Sequence, residues 1–103
     1  MTAYRTLIDA STLAGLLGQP GLRVVDCRHD LADPEAGRRA WAESHIPGAV
    51  FMHLDEDLSG PCTGRNGRHP LPNPAVFAAR LGELGIAPGD QVVAYDDAGG
   101  AIA

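Results

Sequence analysis

The sequence contains no lysine: all eight of its basic side chains are arginine. That excludes a Schiff-base lysine and a phosphate-loop lysine. Aromatic residues are few, namely Trp41, Tyr4, Tyr95, Phe51 and Phe77, so any core is built mainly from Leu, Val, Ile and Ala. Cysteine is scarce as well. Cys27 and Cys62 form no CxxC motif, and in a reducing compartment two lone cysteines are read as thiols rather than a disulfide. No stretch approaches the roughly 20 apolar residues of a membrane span. Met1–Ile8 lacks the charged-then-apolar order of a signal peptide, so a cytoplasmic address is expected. There is no basic tract and the formal net charge is −5, which argues against nucleic acid and membrane as partners. The histidines, His29, His45, His53 and His69, have no spacing that suits zinc, and nothing in the chain implies a metal or an organic cofactor.

What is present is an ordinary globular composition, with 45% apolar residues, enough for one small domain. Tyr4–Ile8 can begin an extended segment. Asp9 or Ser11 then offers a helix N-cap before Leu13, Leu16 and Leu17, and Gly18–Gly21 ends that helix. Arg23–Asp26 reads as a buried parallel strand with Cys27–Arg28 at its carboxyl end. After a polar loop over His29–Gly37, Arg38–Glu43 predicts a short helix that carries Trp41 inward. Ser44–Ala49 is a tight turn, Ala49–Met52 a strand, and Asp55–Leu58 a turn of helix. Ser59–Pro72, rich in Gly and Pro, is a surface loop. The following helix has the clearest local signals: Asn73 as N-cap, Pro74 at its first position, an apolar stripe of Phe77, Leu81 and Leu84, and Gly85 just past its end. Strands alternating with helices predict an α/β domain, a parallel sheet with helices on both faces.

The chain turns on Gln91–Ala101. Gln91–Tyr95 reads as a strand, expected at the centre of the sheet, running into a glycine-bearing loop. Loops at the carboxyl ends of parallel strands are where open α/β sheets place ligands, and their N–H groups can converge on an anion. The first loop position holds Asp96, followed by Asp97. A carboxylate there supplies no thiol and repels an anionic substrate.

Several segments together resemble the rhodanese-like sulfurtransferases. Val24-Val25-Asp26-Cys27-Arg28 is similar to the family's first strand ending in Asp-x-Arg. Trp41-Ala42-Glu43-Ser44-His45-Ile46-Pro47-Gly48-Ala49-Val50 is similar to its aromatic-x-x-Gly-His-Ile-Pro-Gly-Ala signature, with Ser44 in place of the usual glycine. Leu71–Pro74, Gly85-Ile86 and Val92–Asp96 match the later helix and strand. The resemblance is closest to the amino-terminal half of the tandem thiosulfate and 3-mercaptopyruvate sulfurtransferases. It implies a three-layer fold in which residues 1–103 are an incomplete first domain, truncated at its carboxyl end. In that family the second domain carries the loop cysteine that becomes a persulfide, and the first has an aspartate at the equivalent position, as Asp96 here.

On that resemblance no catalytic residue is expected within the chain. Asp96 is expected to accept the N–H bonds that a persulfide accepts in the active copy. His69, preceding Pro70-Leu71-Pro72, is expected to reach the substrate pocket, with Arg65 and Arg68 attracting an anionic sulfur donor through bidentate contacts. A thiol or cyanide is the expected acceptor. A second rhodanese domain or another chain is expected to cover the open end, where apolar surface is otherwise left exposed. From the residues themselves, Asp26 and Arg28 share one face of their strand and suggest a structural ion pair, with Cys27 on the other face. Cys27 is expected to be inert, although the adjacent Arg28 favours some lowering of its pKa. His45 is read as a turn histidine bonded to backbone. A catalytically silent binding or regulatory module is the alternative. A phosphatase relative ranks last, because no Cys-x5-Arg pattern exists.

Overall fold

The computed structural model describes residues 5–65, 67 and 69–103; Tyr4 and Arg68, both named above, lie outside the described residues. Helices and strands alternate as α1 (Ala10–Leu16), β1 (Leu22–Asp26), α2 (Ala36–Glu43), β2 (Val50–Phe51), α3 (Pro74–Glu83) and β3 (Gln91–Tyr95). The strands are parallel and lie in the order β2-β1-β3. β1 runs level with β3 over its whole length, from Leu22 beside Gln91 to Asp26 beside Tyr95. Its other edge meets β2 only at Val25–Val50 and Asp26–Phe51.

Local chemistry explains the elements. Asp9 caps α1 by accepting the Thr12 N–H at 2.7 Å. Asn73 caps α3 by accepting the Ala75 and Val76 N–H groups, with Pro74 supplying a first position that needs no donor. α3 closes with Gly85 at φ 81°. There the Gly85 N–H reaches the Gly82 carbonyl and the Ile86 N–H reaches that of Leu81, the paired bonds of a glycine-terminated helix.

Two observations depart from the sequence reading. Gln91–Tyr95 is not central: among the described residues it pairs only with β1, which holds the middle. The reason lies in burial. Val24 and Val25 point to opposite faces and are 5% and 3% exposed, whereas β3 leaves Val92 44% exposed. β2 is also shorter than the expected Ala49–Met52, although the Met52 N–H still reaches the Asp26 carbonyl.

Alternation along β1 divides the core between two faces. Val24 packs with Leu13 of α1, Ala49 and Val93 on one. Val25 packs with Cys27 and Met52 on the other, against Phe77, Leu81 and Leu84 at α3. Helices therefore cover both sides of the sheet, and each buried aliphatic side chain contributes about 1.5–3 kcal/mol. Along β3 a groove of about 510 Å³ stays open, lined in part by Leu7, Ile8, Val92 and Tyr95. Among the described residues, no helix is long and apolar enough to cross a membrane.

Candidate functional site

The carboxyl ends of the three strands deliver Asp96 after β3, Arg28 and His29 after β1, and His53 after β2. Beyond Tyr95 the backbone winds around the Asp96 carboxylate. Oδ1 accepts the N–H groups of Ala98 at 3.0 Å and Gly100 at 2.8 Å. Oδ2 accepts those of Ile102 at 2.7 Å and Ala103 at 2.9 Å. Gly99 and Gly100 adopt φ of 68° and 89°, which lets successive amides face inward. These bonds, that from Ala103 foremost, hold the carboxyl down at about 2.

The start of this loop is anchored through Tyr95. Its hydroxyl donates to Asp26 Oδ2 at 2.8 Å and accepts the Ile46 N–H at 3.2 Å. Asp26, fully buried, also takes Arg28 Nη2 at 2.7 Å and the Arg28 backbone N–H at 2.9 Å. Arg28 in turn donates to the Ser44 carbonyl and lies over the Tyr95 ring. Side chains from β1 and β3 thus hold the turn that precedes β2. In that turn His45 stacks on Trp41 and donates from Nδ1 to the Trp41 carbonyl at 2.6 Å.

Cys27 faces the opposite side, buried with Val25 and Met52. Burial pushes its thiol up to about 11, aided by the negative charges of Asp26 and Asp96. This reverses the direction anticipated from the neighbouring arginine. Arg28 is committed to Asp26 on the other face of the strand, so its charge does not favour the thiolate. Cys62 is exposed, in the 59–72 loop.

His69 leaves that loop to meet Asp55, with Nε2 2.9 Å from Oδ1. Arg65 is exposed in the same loop. Among the described residues its guanidinium makes no ion pair, and nothing brings it to His69. Arg68 lies outside the described residues. Sequence reasoning missed the company His69 keeps. The His29 ring stands edge-on to His69 at 6.5 Å and to His53 at 5.4 Å. The available signal was positional, because His29 and His53 each follow a strand and those strands are neighbours. Tyr95 was likewise read only as a strand residue.

Glu35, His53 and Glu56 form the one cluster of possible metal donors among the described residues. The imidazole has no lone pair to give. Nε2 donates to the Pro34 carbonyl at 2.6 Å, and Nδ1 accepts the Asp55 and Glu56 N–H groups at 3.1 and 3.3 Å. The arrangement does not suit a metal ion.

A parallel sheet sandwiched by helices, with an inward-facing amide ring at the end of its third strand, defines a known class of domain. The family profile described as Rhodanese-like domain matches residues 9–103, and the chain belongs to that family. Its relatives are sulfurtransferases. A Pseudomonas aeruginosa protein named "Probable 3-mercaptopyruvate sulfurtransferase" is 50% identical over 98 residues, covering 94% of this chain and 34% of its own length. The thiosulfate sulfurtransferase of Bos taurus is 36% identical over 100 residues, 90% of this chain and 32% of its own. The structure of the 3-mercaptopyruvate sulfurtransferase from Leishmania major superposes with a TM-score of 0.76 at 32% identity, over 87% of this chain and 24% of that one. The chain spans about a third of the length of the curated relatives it matches.

Proposed function

We propose that residues 1–103 form the first, non-catalytic domain of a two-domain sulfurtransferase. The protein moves sulfane sulfur from thiosulfate or 3-mercaptopyruvate to a thiol or cyanide, through a cysteine persulfide that lies outside this stretch. The observation that carries the reading is the Asp96 carboxylate, held by four backbone N–H groups. Such a ring stabilises an anion, whether carboxylate, thiolate or persulfide. With the carboxylate in it and Cys27 buried elsewhere, this copy contributes a wall and a brace rather than a nucleophile. In the chemical step a thiolate attacks the outer sulfur of thiosulfate, the S–S bond breaks, and sulfite leaves with the electron pair.

His69, steered by Asp55, belongs to the wall that faces the donor, with Arg65 and Arg68 attracting the donor's anionic group. The groove along β3, where Leu7 is 90% exposed, is where a second rhodanese domain or another chain packs. The relatives' names support the reaction class.

The test is thiocyanate formation from thiosulfate and cyanide, run beside sulfide release from 3-mercaptopyruvate. The full-length protein is expected to turn over one or both donors, and residues 1–103 alone neither. Activity in residues 1–103 that disappears in Cys27→Ser would reverse the assignment. A silent binding module is the alternative supported by the absence of a thiol at the ring. It predicts no turnover from the full-length protein either.

A further inference from the structure

We infer that His53 is a positioning residue: a buried imidazole whose two ring nitrogens set the turn from which Asp55 steers His69. Its effect on a sulfur donor rests on the function proposed above; its effect on His69 does not.

The tautomer follows from the partners. A carbonyl oxygen only accepts, so Nε2, 2.6 Å from the Pro34 oxygen, carries the hydrogen. Backbone N–H groups only donate, so Nδ1, receiving those of Asp55 and Glu56, is bare. Both ring nitrogens of a residue only 1% exposed are thereby committed. The backbone completes the latch. The His53 N–H goes to Asp57 Oδ2 at 2.8 Å, and the His53 carbonyl takes the Asp57 and Leu58 N–H groups. Asp55 sits inside this turn, and its Oδ1 meets His69 Nε2. The buried ring therefore fixes Asp55, and Asp55 fixes the histidine of the loop.

Charged groups surround the ring. From its own turn come Asp55, Glu56 and Asp57. Glu35 Oε1 and Glu56 Oε2 lie 3.6 and 3.7 Å from Nε2. Arg38 of α2 binds both of those glutamates, and Arg80 of α3 binds Asp57. His29 stands edge-on, with His69 beyond it. The two glutamates lie on the side of the ring that holds the hydrogen, which favours this tautomer.

The experiment compares the full-length wild-type protein with His53→Asn, whose side-chain oxygen accepts N–H bonds, and with His53→Leu, which cannot accept. Amide exchange at Asp55 and Glu56, corrected for intrinsic rate, is read beside the NOE between the His69 ring and the Asp55 β-protons. His53→Leu is expected to lose about tenfold protection at both amides, and the NOE with it, while still melting cooperatively. His53→Asn is expected to keep both. KM for the donor should rise in His53→Leu and recover in His53→Asn. Protection that falls equally in His53→Asn and His53→Leu, or an NOE that persists in a folded His53→Leu, would overturn the inference. Should His53→Leu not fold, His53→Asn decides alone: loss of its protection and NOE overturns the inference, and their retention supports it.

Discussion

Replacing Asp96 by Asn keeps the side chain's shape and removes its charge. The amide oxygen can still accept from two of the four N–H groups, but the NH2 half then faces the other two, donor against donor. Hydrogen bonds to a charged group contribute about 1.5–3 kcal/mol each, so two lost bonds set an upper bound of roughly 3–6 kcal/mol. Asp96 is only partly buried, and water can satisfy freed N–H groups, which reduces the net loss to about 1–2 kcal/mol, a factor of roughly 5–30 in opening. Because the loop opens as a unit, amide exchange at Ala98, Gly100, Ile102 and Ala103 should accelerate by that factor, with β1 amides little changed. The pH dependence gives a second check. The folded carboxyl titrates at about 2, below the roughly 3.9 of an unfolded aspartate. Its contribution is therefore full above pH ~4 and disappears as pH falls through about 2. The gap between wild type and Asp96→Asn should stay constant at neutral pH and close over that acid window. Unchanged exchange at the four amides, or an Asp96 carboxyl carbon titrating near 4, would refute the reasoning.

Three further outcomes are expected. In Gly37→Ala the new methyl would lie 1.9 Å from the Arg28 carbonyl oxygen and 3.3 Å from Phe51 Cε1, so α2 must shift. The expected cost is about 1–3 kcal/mol in urea unfolding, and an unmoved midpoint would contradict the packing. Asp26→Ala strands Arg28 and the Tyr95 hydroxyl beside a buried gap and should cost about 3–5 kcal/mol, much of a small domain's stability; a melting temperature within a degree or so of wild type would show the network to be dispensable. With a disulfide reagent at pH 8, one thiol, Cys62, should react at once and Cys27, held near 11 by burial first, only on unfolding; two fast equivalents would place Cys27 at the surface.

Much of this was legible in the sequence because the signals were local. Asn73-Pro74 and Gly85 bound α3 by capping chemistry that needs no tertiary partner. β1 announced itself as a β-branched run between turn residues. The position of Asp96 followed from one strand–loop junction. What stayed hidden depends on neighbours across the sheet. Nothing in Gln91–Tyr95 says which of its edges is paired, so its place at the side of β1 could not be read. The partnership of Tyr95 with Asp26 spans 69 positions. His53 looked like one scattered histidine because its meaning lies in Pro34, Asp55 and Glu56, contacts made only when the segment after β2 folds back. Arg28 misled for a related reason: adjacency to Cys27 in sequence is opposition across a strand.

The order β2-β1-β3 also separates the two features that bear on chemistry. The amide ring follows β3, whereas His53 and the Asp55–His69 pair follow β2, at the other side of β1. Neighbouring strands lie about 4.8 Å apart, so the ends of β2 and β3 are roughly 10 Å from each other. Groups at the two places are therefore braced on different strands, with β1 between them. Since the ring already holds its own anion, the function proposed above leaves the donor to side chains on the β2 side, His69 among them. Substitutions at Asp96 should thus register in the stability of the domain, and substitutions at His69 or Asp55 in how tightly the donor is held, with little exchange of effect between them.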